Sequence, residues 1–117
     1  MENKITIKSF TDLQVWQEGH QLVLLIYQIT KTLPKEEKYC LIDQMRRAAI
    51  SITSDIAEGF SRHGFKEKLQ FYYMALGSVT ELQNQPITPG CSKKINHQEW
   101  KEFFTQEAKK LKKEIFK

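Results

Sequence analysis

Cysteine, proline and glycine are all scarce in this sequence of 117 residues, which contains two Cys, three Pro and five Gly. Cys40 and Cys91 lie far apart and lack the paired spacing of a zinc or redox motif, so we assign them no role. The N-terminal residues do not read as a signal peptide, and the longest apolar run, residues 22–27, is much shorter than the ~20 residues that span a bilayer. We therefore expect a reduced, cytoplasmic protein without a membrane segment.

Motifs for catalysis and ligand binding are also missing. The sequence has no phosphate loop, nucleophile elbow or dinucleotide fingerprint. Its three histidines, His20, His63 and His97, have no second metal ligand at helical spacing. We therefore predict no catalytic residues, no metal site and no cofactor, and we expect the protein not to be an enzyme.

Positive charge is concentrated in the second half of the chain. Residues 1–60 carry seven Lys or Arg against eight Asp or Glu, whereas residues 61–117 carry eleven against six. This asymmetry points to a polyanionic partner, although a net charge of +4 also serves solubility. The candidate contacts to nucleic-acid phosphates are Arg46, Arg62, Lys66, Lys68, Lys109, Lys110, Lys112 and Lys113, with Lys93, Lys94 and Lys117 as further candidates.

Apolar residues recur at spacings of three and four in four segments, which predicts helices over about 12–32, 36–61, 65–85 and 97–116. Thr11 with Gln14, and Asn96 with Glu99, match the capping-box pattern of helix starts. Amphipathic helices joined by short loops predict an all-α, up-and-down four-helix bundle that forms one domain over residues 1–117. Residues 5–10 alternate between apolar and polar and predict a short extended N-terminal arm.

Gly77 lies well inside a predicted helix. Glycine costs about 1 kcal/mol relative to alanine in a helix interior, so Gly77 needs a structural reason. We expect a neighbouring helix to pass too close to this position for a side chain.

Several polar residues lie beside the apolar stripes of the predicted helices, and they have two interpretations. They are either an acid–base site or a structural network in which a buried Arg47 guanidinium meets carboxylates from neighbouring helices. The i, i+4 pairs Arg47–Ser51 and Glu58–Arg62 favour the structural network. Its members are Gln44, Arg47, Asp55, Glu58 and Glu81.

Four short motifs together resemble one bacterial family, the four-helix bundle proteins often encoded in intervening sequences of 23S ribosomal RNA genes. The motifs are DLQVWQ at 12–17, QMRRAAISI at 44–52, IAEG at 56–59 and GSVTEL at 77–82. The resemblance implies a ring-like homopentamer with no known enzymatic activity. A related bundle, the accessory variability protein of diversity-generating retroelements, is a basic pentamer that works with nucleic acid, which supports a nucleic-acid partner by analogy.

The sequence departs from the family pattern in two places. Asp55 stands where the family usually has Asn, which adds a negative charge to the second helix. Residues 86–90 include two prolines where the family usually continues the third helix, so we expect that helix to stop early. The resemblance extends from residue 10 to about residue 85 and is weak beyond Pro86.

Two functional hypotheses follow from the sequence. The first is a non-enzymatic oligomeric bundle that binds structured RNA, or another nucleic acid, through phosphate contacts. The alternative is a protein-interaction scaffold, an accessory ring that docks a partner protein. A continuous basic face would favour the first hypothesis.

Overall fold

The computed structural model describes residues 7–33, 35, 41–85 and 97–115, without the side chains of His97 and Ile115. A short 3-10 helix, Phe10–Asp12, is followed by α1 (Gln14–Lys31), α2 (Asp43–Ser61), α3 (Phe65–Asn84) and α4 (His97–Ile115). No β-strand occurs among these residues. Each helix packs against the next along the chain, and α1 also contacts α4. The prediction of an all-α four-helix fold is confirmed.

Some of the sequence predictions concern residues that lie outside this description. The predicted start of the second helix at residue 36 and the Asn96 cap of the fourth helix are among them. So are both cysteines and three of the further candidate lysines: Cys40, Cys91, Lys93, Lys94 and Lys117.

The first helix begins differently from the prediction. Ser9 has extended backbone and caps the 3-10 helix, since its Oγ accepts a hydrogen bond from the Thr11 N–H at 3.1 Å. The Asp12 carboxylate accepts from the Ser9 N–H at 3.1 Å and completes the capping box. The prediction of a Thr11–Gln14 capping box is therefore wrong, because Ser9 and Asp12 form the capping box instead, at the 3-10 helix that precedes α1. Helix α1 starts one turn later, at Gln14, after Leu13.

Side chains from all four helices fill one core. Trp100, Phe104 and Leu111 form the core stripe of α4, and all three are buried. The Trp100 indole N–H donates to the Leu82 carbonyl at 2.8 Å and ties α4 to α3. Packing on this core fixes which side of α4 faces outward. Among the described residues, the largest fully buried apolar side chains are Phe104, Ile26, Leu41, Met45, Ile52, Ile56, Leu82, Leu111 and Val79.

A close approach between helices lies at Gly59 and not at Gly77. A Cβ atom at position 59 would lie 2.7 Å from Cε1 of Tyr72 and 3.1 Å from Cβ of Phe71, both on α3. At position 77, apart from the neighbouring residues and backbone of α3 itself, no atom of the described residues lies within 4 Å of the corresponding point. The predicted close contact at Gly77 is therefore wrong for this chain, because residue 77 lies on the exposed side of α3 while Ala75 and Val79 are buried.

The third helix ends where the sequence predicts an early stop. Its last residue is Asn84, with Gln85 as the C-cap, directly before Pro86. Proline lacks a backbone N–H and its ring clashes with the preceding turn, so it does not continue a helix.

Candidate nucleic-acid interface

Three lysines near the end of α4 form an exposed surface that we call the lysine face: Lys109, Lys112 and Lys113. At 3.6 residues per turn they occupy a sector of about 100°, on the side of α4 opposite the core stripe. Among the described residues, none of the three has a hydrogen bond or an ion pair. Their ammonium groups are therefore available to an anion from solution.

Lys110 belongs to the same segment but lies differently. Its Nζ is 3.7 Å from Oε1 of Glu107, and most of the lysine side chain is exposed. An exposed ion pair at this distance contributes little stability. The pair nevertheless places a carboxylate beside Lys110, so this lysine is a weaker candidate for a phosphate than the lysine face.

The basic group around the α2–α3 turn is largely engaged within the chain. The Lys68 ammonium donates to the carbonyl of Gly59 at 3.3 Å and to that of Phe60 at 2.9 Å. It therefore caps the C-terminal end of α2, where the helix dipole favours a cation. Lys66 is exposed and has no hydrogen bond or ion pair with the described part of the chain.

Arg62, in the same turn, also has partners. Its guanidinium forms an ion pair with Glu58 at 3.0 Å and lies 4.8 Å from the ring centre of Phe71. The predicted i, i+4 pair between Glu58 and Arg62 is thus confirmed. Arg62 therefore connects α2 with α3, which leaves Lys66 as the exposed cation of this turn without such contacts.

Arg46 lies in the contact between α1 and α2. Its Nε donates to Oγ1 of Thr30 at 2.9 Å, and its guanidinium lies 4.5 Å from the ring centre of Tyr27. Thr30 is buried and donates in turn to the Ile26 carbonyl at 2.8 Å. The half-buried Arg46 therefore has a packing role in this structure, and we do not place it in the interface.

The five residues of the predicted polar network do not come together within the chain. The Gln85 amide donates to the Gln44 carbonyl at 3.3 Å and to the Glu81 carboxylate at 3.2 Å, which links those two residues. Arg47 is exposed and has no hydrogen bond or ion pair with the described residues. The Arg47 guanidinium is therefore not buried as expected, because the buried positions of α2, such as Met45 and Ala49, face the core and residue 47 does not.

Asp55 is half-buried and has no hydrogen bond or ion pair with the described residues. The pKa of its carboxyl is raised above the ordinary value, mainly by burial and further by the nearby Glu58 carboxylate. Both causes act against the charged form. The network hypothesis required Asp55 to pair with a basic group, and no such pair forms among the described residues.

The remaining titratable groups of the described chain do not converge. Residues 7–33, 35, 41–85 and 97–115 contain no group of three or more His, Cys, Asp or Glu placed to hold a metal ion. The His20 ring stacks on Trp16, with ring centres 4.9 Å apart and an interplanar angle of 9°.

Of the helices that the structure describes, none is both long and apolar enough to cross a membrane.

A comparison with known families matches nearly the whole chain. The family described as 23S rRNA-intervening sequence protein matches residues 11–117, which includes the segment after Pro86 where the motif resemblance is weak. No curated protein matches the sequence. The family match covers the 3-10 helix from its second residue and all four α-helices, including the lysine face. The chain belongs to the family of 23S rRNA-intervening sequence proteins.

Proposed function

We propose that this protein is a non-enzymatic, oligomeric helical bundle that binds structured RNA through phosphate contacts. The observation that carries the proposal is the lysine face, three exposed lysines without partners among the described residues, on the side of α4 away from the core. Lysine ammonium groups bind phosphates as point charges and carry no sequence information. Binding should therefore tolerate changes in RNA sequence.

The test is a salt titration of RNA binding by the native protein. A 23S ribosomal RNA fragment and an unrelated structured RNA of equal length serve as ligands. We expect comparable affinities and a linear fall of log affinity with log salt, by about 0.7 to 0.9 for each phosphate contact. Absence of binding even at low salt, where electrostatic attraction is strongest, would contradict the proposal.

The proposed oligomer is supported by apolar side chains on the surface of the single chain. Ile50 on α2 is 43% exposed and Met74 on α3 is 52% exposed. An interface between copies would remove such side chains from water, which is favourable. The family resemblance implies five copies, and a symmetric ring would repeat the lysine face around its axis.

We expect light scattering at micromolar concentration to give a mass about five times the 13.8 kDa of one chain. A mass of 13.8 kDa would contradict the oligomer. The salt titration would then test whether a single chain binds RNA phosphates.

A protein-interaction scaffold is the second candidate function. It is favoured by Phe65, which is 76% exposed at the first turn of α3. An aromatic ring in that position is suited to anchor a partner polypeptide. The scaffold becomes the preferred function if the native protein binds no RNA at low salt.

A further inference from the structure

A groove of about 440 Å³ runs between α3 and α4, beside the lysine face. Leu76 and Ala108, which pack against the core, contribute apolar surface to its lining. Tyr73, 55% exposed, adds an aromatic ring. Lys109 and Lys112 of the lysine face line the same groove. The groove thus combines apolar and aromatic surface with two exposed cations.

The charge of this groove distinguishes it from the one between α1 and α4. That second groove has a volume of about 400 Å³ and is lined by Glu18 and Glu107 as well as Lys110. Among the described residues that line the groove between α3 and α4, none carries a carboxylate. Electrostatic complementarity therefore directs an anionic ligand to the α3–α4 groove.

Building on the proposed RNA binding, we propose that the α3–α4 groove holds an unpaired base of a structured RNA, while Lys109 and Lys112 bind the neighbouring phosphates. Bases in loops and bulges can leave the stack and pack on aromatic side chains, whereas the bases of a duplex are paired and stacked. Every base has a π-face, so such a site is tolerant of sequence. The groove then gives this protein a preference for RNA with unpaired nucleotides.

The test compares two RNAs that share one stem, a hairpin with an unpaired loop and a blunt duplex. We expect the native protein to bind the hairpin more tightly. Tyr73→Ala should weaken hairpin binding by about 5- to 150-fold, the range of one lost base–aromatic contact, without changing the salt slope. Binding to the duplex should stay the same. Tyr73→Phe keeps the ring and should bind the hairpin like the native protein.

Phe65→Ala is the matched control, because it removes an exposed aromatic ring from the same helix outside the groove. It should leave hairpin binding unchanged. Thr80→Leu is a second groove variant, since Thr80 is exposed and lines the groove without carrying charge. Because it fills part of the groove, Thr80→Leu should also lower hairpin affinity. The proposal can therefore be tested even if Tyr73→Ala does not fold.

Equal affinity of the native protein for hairpin and duplex would overturn the proposal. So would an equal loss of hairpin binding in Phe65→Ala and Tyr73→Ala. Both results would leave phosphate binding by the lysine face intact, whereas a native protein that binds neither RNA would contradict the proposed function itself. If a Glu-rich helical peptide bound in a Tyr73-dependent manner while RNA affinity did not depend on Tyr73, the groove would belong to a protein partner and the proposal would be wrong.

Discussion

Replacing Gly59 by alanine should destabilise the protein by about 1 to 3 kcal/mol, although alanine is the better helix former. The added Cβ would lie 2.7 Å from Cε1 of Tyr72, a distance that real Cβ contacts essentially never show. The Tyr72 ring cannot relieve the clash alone, because the Cβ of Phe71 lies 3.1 Å from the same point and is fixed to the backbone of α3. The two helices must therefore move apart locally.

The surroundings of Gly59 make such a movement costly. The Tyr72 side chain is partly buried against the core and lies beside Gly59 in the contact between α2 and α3, and this burial raises the pKa of its phenol. Lys68 also reaches across the contact to the Gly59 and Phe60 carbonyls. Separation of the helices would weaken both the packing and the cap of α2.

Gly77→Ala is the matched control for this prediction. It makes the same substitution inside a helix, but in the part of the chain that the structure describes, nothing outside the local backbone of α3 lies within 4 Å of the added methyl group. We expect a gain of about 0.5 to 1 kcal/mol, since alanine loses less backbone entropy than glycine in a helix. Urea unfolding of both variants measures the difference. A loss of stability in Gly77→Ala would indicate that a second copy covers residue 77.

The contrast between the two glycines shows what a helical pattern predicts and what it does not. Apolar spacing predicted four helices, because burial of one face is a local property of each helix. It did not predict which helices approach closely. Gly77 lies in a helix interior, where glycine is unfavourable, whereas Gly59 lies near the end of α2, where glycine is common. The distance from Gly59 to Tyr72 depends on how α2 packs against α3.

For the basic residues too, the sequence pattern did not predict contacts that depend on how the helices pack. The lysine face was predictable because its members lie on one helix, and the core stripe of that helix determines where they point. Arg46 and Lys68 looked equally available in sequence, yet they bind Thr30 and the end of α2. Those partners are 16 and 8 to 9 residues away along the chain. Their proximity follows from the packing of α1 against α2 and from the turn between α2 and α3.

The start of the first helix shows that two overlapping sequence patterns can compete. Thr11 and Gln14 have the spacing of a capping box, and so do Ser9 and Asp12. The two candidates overlap, so the pattern alone does not decide between them. The structure uses Ser9 and Asp12 for a 3-10 turn, and α1 then begins without a side-chain cap. Packing of the amphipathic face supplies most of the stability of such a helix.

Changing Lys109, Lys112 and Lys113 together to Gln should weaken RNA binding and reduce its salt dependence. If all three contact phosphates, the slope of log affinity against log salt should become shallower by about 2 to 3 for each chain that engages the RNA. The loss should be similar for unrelated RNA sequences, because phosphates carry no sequence information. The three side chains are exposed, so the variant should fold. Fluorescence anisotropy with labelled RNA over a range of salt concentrations measures both quantities.

The matched control changes Lys8, Lys31 and Lys35 to Gln, which removes the same net charge from exposed positions outside α4. If the lysine face acts by local contact, this control should keep a salt slope close to that of the native protein. An equal fall in slope for both variants would assign RNA attraction to the overall charge of the protein. If the folded lysine-face variant kept the native salt slope, these lysines would serve solubility and compensate the dipole at the end of α4. Lys66, the exposed cation of the α2–α3 turn, would then be the next residue to test.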